Sequence, residues 1–337
     1  MPATLKPLDA QVIVVTGATS GHGLATAQKA AEGGAQVMLA ARDEAALTQC
    51  VADIRAKGGT AEYCVTDVGV EADVDRLADA AIARFGRIDT WVNNAGTGLY
   101  AEVEQLSLED HRKLFDTNYW GVVHGCNAAL RHLKAQGGAI INVGSINSDM
   151  ASPLLAAYNA SKHAVKGFTD SLRIELIGQD APVSVTLIKP SAIDTPFTSH
   201  GRNVTGYQAK LPPPIYSPEL VADAILFAAQ HPRRSITVGG GGKLQVLGAT
   251  LFPSLFDRIA SKMDATLLDR DKPIGRKEGN LHAPQGNDGH VDGRQHGRGF
   301  SLFTGARLHP LAPIGLIAAT AIGAALAMRR PQRLPGR

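Results

Sequence analysis

Short apolar runs recur between residues 11 and 238, and each is followed by a polar or glycine-rich break. Runs of this length that are rich in β-branched residues are typical of buried strands. They predict strands at residues 11–16, 36–41, 61–66, 88–92, 139–143, 183–188 and 236–238. Between them, apolar residues recur at three- and four-residue spacing, which predicts amphipathic helices. Strands that alternate with helices in this way predict an α/β fold with a doubly wound parallel sheet of about seven strands.

The first strand runs directly into a glycine-rich turn, which has the sequence TGATSGHG at residues 16–23. A helical pattern follows at once, so backbone N–H groups and a helix N-terminus would point toward an anion. Glycine lets the backbone turn tightly and approach a pyrophosphate closely. The combination predicts a Rossmann-type dinucleotide site, against the alternative of a glycine-rich turn without a ligand. The residues predicted to bind the cofactor here are Gly17, Thr19, Ser20, Gly21, His22 and Gly23.

The second strand ends at Ala41 and is followed by Arg42 and Asp43. In a dinucleotide fold, an acid at this point binds the ribose hydroxyls of NAD, whereas an arginine can bind the 2′-phosphate of NADP. Because position 42 holds an arginine and position 41 holds no acid, the sequence favours NADP(H) over NAD as the cofactor. Asp43 leaves two alternatives open, since it could N-cap the next helix or form a solvated pair with Arg42.

Composition and charge exclude several classes of protein. The chain has 337 residues, of which 44% are hydrophobic and 19% are charged, and its net charge is +3. This balance is ordinary for a globular protein with a large core and too weakly basic to predict nucleic acid as a partner. Cys50, Cys64 and Cys126 form no CxxC pair, which suits a reducing compartment. The first residues lack the pattern of a signal peptide, so we expect a cytoplasmic catalytic domain.

Tyr158 and Lys162 stand four residues apart in a predicted helix and would therefore share one face. A free phenol has a pKa of about 10, and a nearby ammonium lowers that pKa toward the working range because it favours the phenolate. Such a pair can exchange a proton with an alcohol or with a carbonyl oxygen. On its own the spacing is a weak indication, because Tyr-x-x-x-Lys also occurs by chance on exposed helices.

Four motifs follow one another along the chain: TGATSGHG at 16–23, Asp67-Val68, NNAG at 93–96 and YNASK at 158–162. Together they resemble the short-chain dehydrogenase/reductase family, over roughly the first 250 residues. The resemblance implies NADP(H)-dependent interconversion of a carbonyl and a secondary alcohol. The catalytic residues it implies are Asn118, Ser145, Tyr158 and Lys162. Beyond the glycine-rich turn and Arg42, the cofactor-binding residues are Asp67, Val68, Asn94, Ala95, Gly96, Tyr158, Lys162, Pro190, Ile193 and Thr195.

Some implied roles have alternatives that the sequence leaves open. The resemblance implies that Ser145, thirteen residues before Tyr158, hydrogen-bonds the substrate oxygen. It implies that Asn118 helps to hold a water in a proton relay to Lys162, although a mid-helix asparagine could equally be a satisfied core group. Asp67 would accept a hydrogen bond from the adenine amino group, or it could cap a turn. The asparagine run at 93–96 would support both the cofactor and the central strand.

Two positions depart from the pattern of the family. His22 replaces the usual apolar residue in the glycine-rich turn, where its backbone would still bind phosphate and its ring would add a weak positive contribution. Pro190-Ser191 stands where the family has Pro-Gly, which puts the shape of that loop in question because serine tolerates fewer backbone conformations. Ile193 and Thr195 still match the positions that the family uses to hold the nicotinamide carboxamide.

A long segment rich in turn-forming residues, 196–218, follows the sixth predicted strand. Loops of this length in enzymes are usually functional, and the family uses this one as a substrate lid. Its apolar residues predict an apolar small-molecule substrate, unless they serve only to pack the lid down. These residues are Phe197, Tyr207, Leu211 and Ile215.

The chain continues well beyond the resemblance and predicts four regions. They are a catalytic domain at 1–250, a helical and irregular tail at 251–309, a membrane-associated helix at 310–330 and a basic C-terminus at 331–337. An apolar stripe at helical spacing is interpreted as packing on the core, with a substrate cover or a dimer contact as alternatives. The stripe consists of Leu244, Leu247, Leu251, Leu255, Ile259 and Met263. Residues 269–300 turn polar and are interpreted as an irregular or disordered connector, and their histidines lack a metal-binding spacing.

Residues 311–328 contain no charge and would extend roughly 27 Å as a helix, close to the thickness of a bilayer core. Small residues recur at every fourth position, which suits close helix packing. The segment therefore predicts a transmembrane or membrane-associated helix. Arg329, Arg330, Arg333 and Arg337 follow it, and the positive-inside rule would then export the cofactor-binding domain. The topology therefore stays open, with an interfacial helix or a protein partner as alternatives.

Two rival functions keep the same fold. The chain could be a non-catalytic NADP-binding membrane scaffold, although a scaffold has no need of the Ser145, Tyr158 and Lys162 set. It could also be an epimerase or a dehydratase, which the sequence neither supports nor excludes. The family commonly forms dimers or tetramers through its long helices, which implies a homodimer or homotetramer here.

Overall fold

A parallel sheet lies at the centre of the protein, whose computed structural model describes residues 3–286 and 289–308. The strands are β1 Val12–Thr16, β2 Gln36–Ala41, β3 Thr60–Val65, β4 Thr90–Asn93, β5 Leu99–Tyr100, β6 Gly138–Val143, β7 Val183–Pro190, β8 Arg202–Asn203, β9 Tyr207–Ala209, β10 Ser235–Val238 and β11 Leu268–Pro273. Seven of them form one sheet in the order β10-β7-β6-β4-β1-β2-β3. Every neighbouring pair is parallel, which confirms the predicted doubly wound fold.

Helices cover both faces of this sheet. They are α1 Gly21–Glu32, α2 Glu44–Ala56, α3 Glu71–Phe85, α4 Leu108–Phe115, α5 Gly121–Gln136, α6 Ala156–Gly178, α7 Phe197–His200, α8 Pro218–Gln230, α9 Gly240–Leu251, α10 Pro253–Ala260, α11 Asp264–Leu267 and α12 Leu302–Leu308. Helices α1, α2 and α8 pack on one face, and α3, α5 and α6 pack on the other. Because both faces are covered, the strands are apolar throughout: Ile13 and Val15 face the first layer, and Val14 faces the second.

The helical region that carries Asn118 is interrupted. A π-helical turn, Asp116–Trp120, separates α4 from α5. Such turns break the regular hydrogen-bond ladder and recur at functional sites. Here the turn carries Asn118, which is completely buried.

Beyond β11, the described residues of the polar segment 269–300 are irregular, as one alternative predicted, and they pack on the rest of the protein instead of forming a disordered connector. After β11 pairs with β9, the chain crosses the carboxyl edge of the sheet as a segment that we call the strap, residues 277–286 and 289–298. Lys277 exchanges two backbone hydrogen bonds of 2.8 Å with Asn203. Leu281 is completely buried, and it packs with Leu99 and Leu114. The sequence did not reveal this packing because one leucine supplies the anchor within a polar stretch.

The apolar stripe of the tail does not pack on the core, so that interpretation is wrong. All of its residues except Met263 lie on α9 and α10, which meet at Phe252 and Pro253. Met263 follows α10 and lines the cleft described below. Leu244 is 72% exposed and Leu251 is 65% exposed, and Leu247, Leu255 and Ile259 are exposed as well. The inner side of α9 carries Val246, which is buried against Ile146 and Met150. The helices therefore bury a narrow side and leave an apolar face uncovered among the described residues.

The predicted membrane segment 311–328 and the basic C-terminus 331–337 lie outside the described residues. Within residues 3–286 and 289–308, no helix combines the length and the apolar character needed to cross a bilayer.

Candidate active site

The glycine-rich turn lies between β1 and α1 in the shape that the sequence predicts. Gly17 and Gly21 have φ angles of +64° and +55°, a region that glycine adopts readily. A Cβ atom on Gly23 would stand 2.1 Å from the carbonyl oxygen of Gly17. Only a glycine therefore fits where α1 begins against the turn, and this close fit lets the first turn of the helix face the cleft.

Asn94 fastens this turn to the end of β4. Its Nδ2 donates to the carbonyl oxygens of Thr16 at 2.8 Å and Gly17 at 3.1 Å. Its Oδ1 lies 2.6 Å from Nδ1 of His22, which must then donate. Burial lowers the pKa of His22 to about 4, so the ring is neutral near pH 7. The prediction that this ring adds a weak positive charge is wrong, because burial in the turn disfavours the charged imidazole.

Arg42 and Asp43 follow β2 at one end of the cleft. Arg42 donates from Nη1 to the carbonyl oxygen of Leu281 at 3.3 Å and from Nη2 to that of Asn280. Asp43 accepts from the backbone N–H of Ala46 at 3.1 Å, so it N-caps α2, as one alternative proposed. Arg42 is therefore held by the strap and not by its neighbour in the sequence.

Asp67 and Val68 follow β3 at the same end. Asp67 accepts from the backbone N–H of Gly69 at 2.9 Å and forms an ion pair of 3.3 Å with Lys113. Its carboxylate is thus a turn cap, the alternative that the sequence left open, and it also faces the cleft. Val68 is buried and lies against Gly121.

Tyr158 and Ser145 meet at the opposite end of the cleft. Both side chains line the cleft, and Oγ of Ser145 accepts from the backbone N–H of Asn147 at 3.1 Å. The Tyr158 ring contacts Phe197 edge-on, with 5.4 Å between centroids. Burial raises the pKa of Tyr158 to about 12, although the hydrogen bond to Ser145 lowers it in part. The phenol is therefore protonated throughout the neutral range.

Lys162 lies beneath Tyr158 but does not lower the pKa of the phenol as expected. Its Nζ stands 5.7 Å from the centroid of the Tyr158 ring and donates to the carbonyl oxygen of Val143 at 2.9 Å. Burial lowers the pKa of Lys162 to about 8. An ammonium turned toward a strand carbonyl acts weakly on a phenol oxygen, and the burial of Tyr158 prevails.

The buried ammonium should make the stability of the cofactor-free protein depend on pH. Below pH 8 Lys162 is charged in both the folded and the unfolded state, and the folded state carries the full cost of burying the charge. Between pH 8 and 10.5 the folded state loses this proton first, so the cost disappears as pH rises. We expect the stability of the wild type relative to Lys162→Met to increase by about 3 kcal/mol over this window.

Urea unfolding of both proteins at pH 7 and pH 10.5 measures this difference. Comparing two variants at each pH cancels the titration of all other groups. A stability gap that stays constant, or that changes in the other direction, would contradict the burial of a charged Lys162.

Asn118 is satisfied by protein groups, the alternative that the sequence left open. Its Oδ1 accepts from the backbone N–H of Thr97 at 2.9 Å, and its Nδ2 donates to the carbonyl oxygen of Thr97 and to Ser161. It does not contact Lys162 directly. Both side chains approach Gly96, where a Cβ atom would stand 3.4 Å from Oδ1 of Asn118 and 3.6 Å from Nζ of Lys162.

The loop after β7 accommodates the departure at Ser191. Its backbone N–H donates to the carbonyl oxygen of Val238 at 2.9 Å, and its hydroxyl donates to that of Gly239 at 3.0 Å. Ser191 is not among the described residues with a positive φ angle, so it needs no glycine-like conformation. Ile193 and Thr195 are buried beyond it.

One cleft at the carboxyl edge of the sheet brings most of the predicted residues together. Gly23 and Asn118 do not line the cleft; they contact residues that do, Gly17 and Thr97. The predicted residues that line the cleft are Gly17, Thr19, Ser20, Gly21, His22, Arg42, Asp67, Val68, Asn94, Ala95, Gly96, Ser145, Tyr158, Lys162, Pro190, Ile193 and Thr195. In the described parts of the chain, no cluster of His, Cys, Asp or Glu side chains could hold a metal ion.

Several residues of the site were missed by sequence reasoning. Tyr100 is buried in an apolar wall with Leu155, beside Tyr158 and Phe197, and burial raises its pKa. The carboxylate of Asp194 accepts the backbone N–H groups of strap residues, and Asn280 lines the cleft. No local signal marks these residues, because their partners are far away in the sequence.

Comparison with known proteins agrees with this geometry. The family profile described as short chain dehydrogenase matches residues 11–204. An uncharacterized oxidoreductase of Bacillus subtilis, YxnA, is 42% identical over 319 residues, which cover 93% of this chain and 90% of YxnA.

Two solved structures are also similar. A short-chain dehydrogenase/reductase from Burkholderia phymatum in complex with NAD is 29% identical with a TM-score of 0.68, covering 74% of this chain and 96% of that chain. An alcohol dehydrogenase from Thermococcus sibiricus complexed with 5-hydroxy-NADP is 26% identical with a TM-score of 0.60, covering 67% of this chain and 95% of that chain. The sequence match, the doubly wound sheet and the cleft together show that this chain is an oxidoreductase of the short-chain dehydrogenase/reductase family, whose fold binds NAD(P).

Proposed function

We propose that the protein is an NADP(H)-dependent oxidoreductase that interconverts a carbonyl and a secondary alcohol on an apolar substrate. The observation that carries this proposal is that the hydroxyls of Ser145 and Tyr158 line one cleft, with the buried Lys162 5.7 Å from the centroid of the Tyr158 ring. The pair lies in the same cleft as the glycine-rich turn and Arg42. A proton donor and a dinucleotide cradle in one cleft are what carbonyl reduction requires.

The residues that line the cleft include groups for each part of a dinucleotide. One backbone donor of the glycine-rich turn is used by the strap, because the N–H of Gly21 donates to the carbonyl oxygen of His290 at 2.9 Å. A Cβ atom on Gly23 would collide with the Gly17 carbonyl oxygen, so only glycine lets α1 begin this close to the turn that would face a pyrophosphate. Arg42 would bind the 2′-phosphate, and Lys162 would hold the nicotinamide ribose. Ile193 and Thr195 would hold the carboxamide. When bound, the nicotinamide cofactor supplies the hydride in the reductive direction.

Tyr158 would act as the proton donor in that direction. It and Ser145 would hydrogen-bond the carbonyl oxygen and polarise the carbon, and Tyr158 would then transfer its proton to that oxygen. The raised pKa of Tyr158 supports this direction, because the phenol holds a proton at neutral pH. Lys162 would pass a proton back through a water held near Asn118, whose side chain approaches the same glycine.

An apolar substrate is supported by the wall beside the hydroxyl pair. Tyr100 and Leu155 are buried in an apolar cluster against which Tyr158 and Phe197 pack, and all four line the cleft. Leu211, from the predicted lid 196–218, lines the cleft as well. Such a wall favours ligands that bury apolar surface.

A screen of ketones and secondary alcohols with both NADPH and NADP tests the reaction. Purified full-length protein should oxidise NADPH in the presence of an apolar ketone. The loss of nicotinamide absorbance measures this oxidation. Binding of NADPH without turnover of any carbonyl or alcohol would favour the non-catalytic scaffold. Turnover of a substrate without net change of NADPH would favour an epimerase or a dehydratase.

We also propose that the protein associates with membranes through residues 311–328. The support among the described residues is the exposed apolar face of α9 and α10. Apolar residues on an exposed helix face bind the interface of a bilayer, and a second apolar element strengthens such binding.

Vesicle flotation tests this proposal. We expect the full-length protein to float with anionic phospholipid vesicles, and a chain that ends at Leu308 to float roughly tenfold less. Leu251→Glu should reduce flotation further, whereas Leu108→Glu, an equally exposed leucine on α4, should not. Flotation that is the same in every variant would contradict the proposal.

A homodimer or homotetramer is proposed as the assembly. Support comes from exposed apolar residues on the long helices, with Ile174 and Ile177 of α6 exposed by 65% and 69%. Light scattering of the chain that ends at Leu308 measures the mass of the assembly without residues 311–328.

A further inference from the structure

Arg42, the candidate ligand of the 2′-phosphate, donates its hydrogen bonds to the strap. Both of its contacts are backbone carbonyl oxygens of the strap, those of Asn280 and Leu281. A guanidinium has five N–H donors, so two contacts leave three donors available on its other edges. The strap therefore fixes the plane of the guanidinium without using up its capacity to bind an anion.

The strap is itself held firmly at this point. Leu281 is completely buried with Leu99 and Leu114. The backbone N–H of Asn280 donates to the carbonyl oxygen of His200 at 2.8 Å, and its side chain accepts from Thr97 at 3.2 Å. These contacts fix the two carbonyl groups that hold Arg42.

The next residue ties the strap to α4. Nε2 of His282 lies 2.8 Å from Oδ1 of Asp110, which is also paired with Arg202 at 2.8 Å. Burial alone would raise the pKa of Asp110, but the hydrogen bonds from His282 and Ser107 and the charge of Arg202 lower it overall. The Asp110 carboxylate is thus ionised at neutral pH, and its contact with His282 holds the strap against α4.

We infer that Leu281 is a positioning residue for Arg42, so that the preference for NADPH over NADH depends on the packing of the strap. The inference rests on the proposed function, because it assumes that Arg42 binds the 2′-phosphate. An arginine whose fork is fixed in advance loses less freedom when it binds a phosphate than a free one does. NADH lacks that phosphate, so the same fixation has little effect on NADH binding.

Leu281→Ala tests the inference by removing the anchor while leaving every group of the cofactor site in place. We expect the dissociation constant for NADPH to rise roughly fivefold and that for NADH to change less than twofold. Titrations followed by nicotinamide fluorescence give both constants without a substrate. Leu133→Ala is the matched control, because Leu133 is equally buried but lies on α5 in the core under the sheet.

The double variant separates positioning from general loosening. In an Arg42→Ala background, Leu281→Ala should leave the ratio of the two dissociation constants unchanged, because the residue that it positions is gone. His282→Ala provides a second route, since His282 is 41% exposed and its loss should leave the fold intact. It should shift the ratio in the same direction by a smaller factor.

Failure of the inference and failure of the proposed cofactor preference give different results. If Arg42→Ala weakens NADPH and NADH equally, the cofactor preference is wrong. If Arg42→Ala is selective but Leu281→Ala and His282→Ala are not, the positioning role is wrong. Tighter NADPH binding by Leu281→Ala would overturn the inference too, because the carbonyl groups would then compete with the phosphate.

Discussion

Tyr158→Phe is expected to abolish turnover while leaving NADPH binding nearly unchanged. The substitution removes the phenolic proton that the proposed mechanism transfers to the carbonyl oxygen, and the Ser145 hydroxyl remains. General acid catalysis by a positioned side chain contributes roughly 10²- to 10⁴-fold, so kcat should fall by at least roughly 10²-fold. Steady-state kinetics on a ketone found in the screen, with NADPH binding by fluorescence, measures both quantities.

Tyr63→Phe is the matched control for this experiment. It makes the same chemical change on β3, where the hydroxyl contacts Thr48 and Glu44 outside the cleft. Its activity should equal that of the wild type. Undiminished turnover by Tyr158→Phe would contradict the proposed role of Tyr158 as the proton donor, whatever the control shows.

Arg42→Ala is expected to weaken NADPH much more than NADH. A charge-assisted hydrogen bond to a phosphate is stronger than a neutral one, and its loss corresponds to roughly 10- to 100-fold in affinity. NADH has no 2′-phosphate, so its dissociation constant should change by less than roughly threefold. Fluorescence titrations with the two cofactors measure the ratio directly.

Arg55→Ala serves as the control for the loss of a positive charge away from the cleft. Arg55 lies on α2 and pairs with Glu62 at the surface. It should affect the two cofactors equally and slightly. Equal losses for NADPH and NADH in Arg42→Ala would mean that Arg42 does not read the 2′-phosphate.

The fold and much of the cleft could be predicted because their signals are local. Alternating strand and helix patterns depend on neighbouring residues, and a parallel sheet brings the carboxyl ends of its strands to one edge. The glycine-rich turn is local too, since Gly17 and Gly21 need positive φ angles in place. The order of motifs then placed Ser145 and Tyr158 in one cleft.

Other predictions failed where a residue depends on a partner far along the chain. The tail stripe had the spacing of a core helix, yet Leu244 and Leu251 are exposed. Spacing defines one face of a helix but not what covers it. His22 was expected to add positive charge, but its enclosure by the turn and Asn94 decides its protonation.

The sequence by itself determined the parallel sheet, the glycine-rich cradle and the residues that can exchange a proton, because periodicity and motif order are properties of the chain. Only the tertiary structure decided how those groups are held. In that structure Lys162 donates to a strand carbonyl oxygen, and protein groups satisfy the side chain of Asn118. The strap folds back so that its carbonyl oxygens accept hydrogen bonds from Arg42. These contacts join segments as much as 239 residues apart, and their energies depend on burial and geometry that no local pattern encodes.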